Sequence, residues 1–247
     1  MAHYFITGVT SGIGAALVNQ LCTDGHHVSG VARRADRLAE TGQKHENFHG
    51  LSCDVTDSAS LAASIDAAIT NHGPVDVAIL NAGIYQPQDG SKIDPKIYAQ
   101  HMDINYMGAV NALAALVPAM IRNGHGHIVI IASVAGWRGL PRSAAYGPTK
   151  AALISLAESL YFDLHPKGIR IQVICPGFVE SEATAINDFE MPGLMSADKA
   201  AQDIIASLET DVFMPHFPKS FTRGMSWLRY LPHKWFFQIV GKRTGYL

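Results

Sequence analysis

"FITGVTSGIGAAL", residues 5–17, sets three glycines, Gly8, Gly12 and Gly14, between an apolar run and a helix-like stretch. Glycine permits a tight strand-to-helix turn there, brings backbone close to a phosphate and lets the helix pack tightly on a sheet. The amides that open the helix, at the positive end of its dipole, suit a pyrophosphate. Thr10 and Ser11 add hydroxyls, so Gly8, Thr10, Ser11, Gly12, Ile13 and Gly14 are the expected phosphate contacts. The spacing G-x-x-x-G-x-G differs from the common dinucleotide fingerprint G-x-G-x-x-G. Taken alone, the turn leaves a ligand-free reading open.

Outward from this turn, short apolar runs at 3–7, 27–32, 48–52, 75–80, 127–132 and 170–175 alternate with helical apolar spacing at 12–23, 34–43, 58–71, 95–122 and 144–165. Most of the runs are too continuously apolar for a half-exposed sheet, which is how buried parallel strands read. The alternation predicts an α/β fold: a Rossmann-type, doubly wound parallel sheet flanked by helices, with right-handed crossovers. No linker or biased tract interrupts residues 1–247, so one domain is expected. After Cys175 a glycine- and proline-punctuated stretch, 176–195, is long for a structureless connection and reads as a binding loop. With the helix at 197–208 it makes an expected substrate segment over 176–210.

The composition is 48% hydrophobic, enough for a sizeable core, and the net charge of −2 argues against a general nucleic-acid binder. Cys22, Cys53 and Cys175 lie in or beside apolar runs and read as small core residues of a reducing compartment. The start "MAHYFITG" shows no secretory signal, and no window has the uninterrupted apolar length of a bilayer span. A cytoplasmic protein is expected. The histidines of "GHH" and "HGH" lack a carboxylate at ligand spacing and read as solvated turn residues, so no metal is expected.

The second strand runs into "VARRADRL", where an NAD site usually places an acid for the ribose 2′-hydroxyl. Here Ala32 is followed by Arg33 and Arg34, cations at an unfavourable helix end that suit a 2′-phosphate. NADP(H) is therefore expected over NAD(H). Asp54 and Val55 end the third strand, the former as an adenine contact or a plain turn residue; Asn81, Ala82 and Gly83 end the fourth. All fall at carboxyl ends of strands, where open α/β sheets bind ligands.

Tyr146 and Lys150, in "YGPTK", share a helix face one turn apart, and a neighbouring ammonium favours phenolate. A half-buried tyrosine and a solvated lysine would look the same in isolation. Ser133, ending the fifth strand, and Asn105, in the preceding helix, bring a hydroxyl and an amide to the same edge.

Together, "TGVTSGIG", "CDV", "NAG", "INYMG", "IASVAG", "YGPTK" and "PGFVES" resemble the short-chain dehydrogenase/reductase family in its one-domain form, in family order from residue 6 to about 181. The resemblance implies Tyr146 as acid/base, with a pKa brought nearer working pH by Lys150 and the nicotinamide. It implies Lys150 as activator and ribose binder, Ser133 as carbonyl orienter and Asn105 as holder of a relay water. It also implies Pro176, Gly177, Val179 and Ser181 as cofactor contacts, serine standing where many members have threonine. The reaction implied is hydride transfer between NADP(H) and a ketone or aldehyde, with a homodimer or homotetramer as the assembly.

Two other readings stay open: a sensor or scaffold that binds NADP(H) without turnover, and a different reaction, such as epimerisation, on the same scaffold. Phe189, Met191, Leu194 and Met195 in the loop point to an apolar or elongated substrate. The tail, 216–247, stands in place of the family's short closing strand. Trp227, Leu228 and Leu231, then Trp235, Phe236, Ile239 and Val240, make two helical apolar faces interleaved with cations. Packing over the protein's own pocket, a subunit interface, and peripheral contact with the inner membrane surface are the readings for it.

Overall fold

The computed structural model describes residues 1–187 and 189–247; Asp188, within the expected substrate loop, lies outside the described residues. Among the described residues, seven parallel strands form one sheet in the order β3-β2-β1-β4-β5-β6-β7. They are β1 (His3–Thr7), β2 (His27–Ala32), β3 (Phe48–Ser52), β4 (Val77–Leu80), β5 (Gly126–Ile131), β6 (Ile169–Pro176) and β7 (His216–Phe217). The order reverses between β1 and β4, and at such a switch the connections part to opposite faces and leave a crevice.

Successive side chains of a strand point to opposite faces, so the sheet carries two cores. One gathers Phe5, Ile128 and Ile130 with Leu61 and Ile65 of α3 (Ser58–His72), Leu113 and Leu116 of α5 (Gly108–Asn123) and Leu153 of α6 (Tyr146–Leu164). The other gathers Ile6, Ile79 and Val129 with Leu17 and Leu21 of α1 (Gly12–Thr23) and Ile204 of α7 (Ala197–Leu208). α2 (Ala35–Lys44) covers the edge strand β3, whose alternating burial explains why "FHGLS" is the least apolar of the runs.

The helix expected at 95–122 is one rod with a defect: α4 (Pro95–His101), a π-helical turn at Met102–Met107, and α5. By length and composition Pro95–Asn123 could cross a membrane, which corrects the expectation that no window reaches that length. Its buried Leu113, Leu116 and Met120 instead face the sheet, as in the core helix of a water-exposed domain.

The tail also departs from expectation. A two-residue closing strand, β7, does pair with β6, and only then do α8 (Lys219–Leu228) and α9 (His233–Thr244) follow. The two anticipated apolar faces do not stay together. Phe236 is buried with Met225 and Thr222, Leu228, Leu231 and Val240 are half-buried, and Trp227, Trp235 and Ile239 are exposed. The expected solvated histidines differ as well: His27 stacks on His72 at 4.6 Å, and the His72 ring meets His3 and His49 edge-on.

Candidate active site

The glycine-rich turn is built by exclusion. A Cβ on Gly14 would lie 2.0 Å from the Gly8 carbonyl oxygen and 2.8 Å from Asn81 Nδ2, so only hydrogen fits. Gly8 itself has φ +76, a region where L side chains are strained. The turn is pinned to β4 by Thr7, whose hydroxyl accepts from the Asn81 and Ala82 amides at 3.0 and 2.9 Å, while Asn81 Nδ2 donates to the Thr7 and Gly8 carbonyls. Asn81 thus spends its side-chain amide on shaping the turn. Thr7 was not singled out in the sequence; its only signal is a hydroxyl ending an apolar strand.

At the start of α1, the Ser11 side chain makes no capping bond and the first turn holds no acid. That fits an anionic ligand at the expected pyrophosphate position. Ser181, in the loop after β6, crosses this turn closely enough that a Cβ on Gly12 would stand 3.2 Å from its own Cβ.

The two arginines diverge. Arg33 is 65% exposed at its side chain and only 3.9 Å from Asp54, a loose pair beside a cleft of about 700 Å³ also lined by Thr56, Lys96 and Gln100. Arg34 donates to the Thr10 hydroxyl and carbonyl and to both carboxylate oxygens of Glu182 at 3.0 Å. Glu182 had no signal in the sequence, being 148 residues away along the chain. Asp54 turns one oxygen back onto the Thr56 amide and hydroxyl, and those bonds hold its carboxyl below the usual range. Val55 is buried under Gly108.

Some residues gather around the first turn of α6. Tyr146 opens that helix, and Lys150, 4% exposed, places Nζ 5.5 Å from the phenol ring centroid while donating to the Ile131 carbonyl at 2.8 Å. Ser133, two residues past β5, lies beside Tyr146 with its hydroxyl acting on the phenol. Asn105 sits in the π-helical turn, a feature that redirects a side chain without ending the helix. Its oxygen accepts from the Ile84 amide at 2.7 Å, and its Nδ2 donates to the Ile84 carbonyl and to Thr149 Oγ1. Thr149 in turn donates to the Tyr146 carbonyl at 2.7 Å, a link that sequence reading missed. Gly83 leaves the space: a Cβ there would stand 3.2 Å from Asn105 Oδ1 and 3.6 Å from Lys150 Nζ.

The electrostatics run against one expectation. Burial pushes the Tyr146 phenol up to about 12, with the Ser133 hydrogen bond pulling the other way. Burial also lowers the Lys150 ammonium to about 8. Desolvation dominates the shift, so the phenol is protonated at neutral pH. A protonated phenol is a proton donor.

Pro176 ends β6, the Gly177 amide donates to the Phe217 carbonyl at 2.7 Å, and Val179 bridges to Met195. Phe178 packs against Phe189 and Phe221, and separately Tyr85 meets the Tyr146 ring edge-on at 5.2 Å.

Fold and site together define an oxidoreductase of the Rossmann-type α/β class. The family model for short chain dehydrogenases matches residues 2–190, and the chain belongs to that family. It is 34% identical to an uncharacterized oxidoreductase of Myxococcus xanthus over 201 residues, 80% of this chain and 79% of that one. It is 30% identical to the 3-oxoacyl-[acyl-carrier-protein] reductase FabG of Escherichia coli over 193 residues, 77% and 79% of the two chains. Among solved structures, ElxO with NADP bound matches with a TM-score of 0.81 at 23% identity, over 90% of this chain and 99% of that one. Serine dehydrogenase from Escherichia coli matches at 0.79 and 23%, over 88% and 98%. At that identity the likeness is one of fold.

Proposed function

We propose that the chain is a cytoplasmic, homo-oligomeric NADP(H)-dependent reductase that converts a ketone or aldehyde to the alcohol. NADPH, when bound, supplies the hydride that goes to the carbonyl carbon. Tyr146 gives its hydroxyl proton to the carbonyl oxygen, and the Ser133 hydroxyl donates to the same oxygen and fixes its direction, stabilising the negative charge that gathers there. Lys150, held by the Ile131 carbonyl, would hold the ribose and keep a positive charge beside the phenol as it gives up its proton. Asn105, tied to Ile84 and Thr149, positions the first turn of α6 and the water expected to return a proton to Tyr146.

The observation that carries this reading is the convergence of Ser133, Tyr146 and Lys150 at one strand end. NADP(H) over NAD(H) rests on Arg33, exposed and only loosely paired with Asp54 at 3.9 Å, and on Ala32 where an acid would stand. Tyr85 against Tyr146, and Phe178 with Phe189 in the loop after β6, favour an apolar, elongated substrate. The Escherichia coli relative is named for a 3-oxoacyl substrate, which is of that kind. A panel of aldehydes, ketones and 3-oxoacyl thioesters offered with NADPH and NADH, followed at the nicotinamide absorbance, tests the reading. Hydride transfer from neither cofactor to any carbonyl, with NADPH still bound, would leave the sensor reading in its place.

A further inference from the structure

Residues 212–247 contain six Lys and Arg and no Asp or Glu, whereas residues 1–211 carry thirteen Lys and Arg against twenty-one Asp and Glu. The chain's slight net negative charge therefore hides a basic extension on an acidic body. One side of that extension is spoken for. Arg138 donates to the carbonyls of Leu228, Arg229 and Leu231 and lies 4.2 Å over the Phe236 ring, and Met225 and Thr222 are buried beside the sheet. Away from those contacts, Trp227 is 77% exposed and Trp235 62%, and Tyr230 and Phe237 are exposed as well. Lys219, Arg223, Lys234, Lys242 and Arg243 are exposed among them.

We propose that this outer side of α8 and α9 is a docking surface for an anionic phospholipid bilayer. Water-exposed tryptophans cost hydration free energy that a soluble helix face ordinarily avoids, and the headgroup layer is where an indole, part apolar and part polar, is best placed. The interleaved cations need opposite charge. A second copy of the same surface cannot match it, because the segment holds no Asp or Glu and pairing would bring two basic sets together. Lipid phosphates provide it at every point of the plane, which suits scattered cations better than a single acidic partner site. Phe221 of α8 lies 5.5 Å from Phe178, so docking holds the substrate loop at the bilayer.

Vesicle binding tests the surface independently of the reductase reading. The full chain is sedimented with vesicles of phosphatidylglycerol and phosphatidylcholine, and with phosphatidylcholine alone, at low and high salt. The expected result is binding to the anionic vesicles, weakened by salt, with a blue shift of tryptophan emission. Trp227→Ser with Trp235→Ser, both exposed and away from Tyr146, should weaken that binding on the order of tenfold while leaving the circular dichroism and melting unchanged. Lys234→Glu with Lys242→Glu should remove the salt-sensitive part. Equal binding to both vesicle types, or none to the anionic ones at low salt, overturns the proposal. So does a dimer, seen by light scattering, that the tryptophan substitutions dissociate, since the surface would then belong to a second copy.

Discussion

Lys150 Nζ stands 5.5 Å from the centroid of the Tyr146 ring and is held there by the Ile131 carbonyl at 2.8 Å. The helix supplies the one-turn spacing, and the end of β5 supplies the acceptor that aims the ammonium. Tyr146→Phe removes only the hydroxyl. Carbonyl reduction should fall by about 10²–10⁴, the usual contribution of one positioned acid, with the NADPH dissociation constant nearly unchanged. Lys150→Ala should damage both rate and binding. A Phe variant that keeps most of its kcat ends the assignment of Tyr146 as proton donor.

Lys150, lowered to about 8 by burial, loses its charge above that pH while Tyr146 stays protonated. The profile of kcat/KM for reduction should therefore be level near neutrality and decline above about pH 8. Lys150→Arg, which cannot deprotonate in this range, should abolish that limb even where it lowers the rate. Persistence of the limb in the Arg variant would assign it elsewhere.

Stability should weaken on mild acidification. Burial lowers His127 to about 4 and lowers His3 and His72 below their ordinary value of 6.5. The unfolded chain takes up protons below 6.5 that the folded chain refuses, so stability is full above that pH and is lost as pH falls from 6.5 toward 4. A melting temperature followed from pH 7.5 to 5 should drop by roughly several degrees. His127→Gln should flatten part of that slope; an unchanged slope would remove His127 from the account.

Arg33→Ser should weaken NADPH while sparing NADH, because the loose 3.9 Å approach to Asp54 leaves this guanidinium available to a 2′-phosphate. Combined with Ala32→Asp, the swing in relative cofactor binding should reach about 2–4 kcal/mol, from one ionic bond lost and one repulsion gained. Titration of both cofactors by fluorescence reads it, and an unaltered ratio would move the 2′-phosphate site away from Arg33.

Gly14→Ala forces a carbon to within 2.0 Å of the Gly8 oxygen, a backbone atom that cannot swing aside. The turn must open, at a cost of about 3 kcal/mol or more, and cofactor binding should be lost with it. Gly42→Ala, whose Cβ would meet nothing within 4 Å, is the control for a glycine without such a role.

What the chain says by itself is periodic or local. The alternation of apolar runs with helical spacing dictated a parallel sheet, because a strand buried on both faces has no other composition available to it. The glycines of residues 8–14 and the one-turn spacing of Tyr146 and Lys150 were equally legible, being short-range requirements of a turn and a helix. The structure alone decided what depends on distant groups. Thr7 clamps Asn81 to the turn, Thr149 joins Asn105 to Tyr146, and Glu182 reaches Arg34 from the far end of the chain. It also decided the sign of the Tyr146 shift, since a neighbouring ammonium can be read from spacing but the loss of water around the phenol cannot. Likewise, helical spacing marked Trp227, Trp235 and Phe236 alike as apolar, and only the position of Arg138 beneath the tail determined that Phe236 turns inward while the tryptophans face out. Burial is a property of what surrounds a residue, and those surroundings come from elements far apart in sequence.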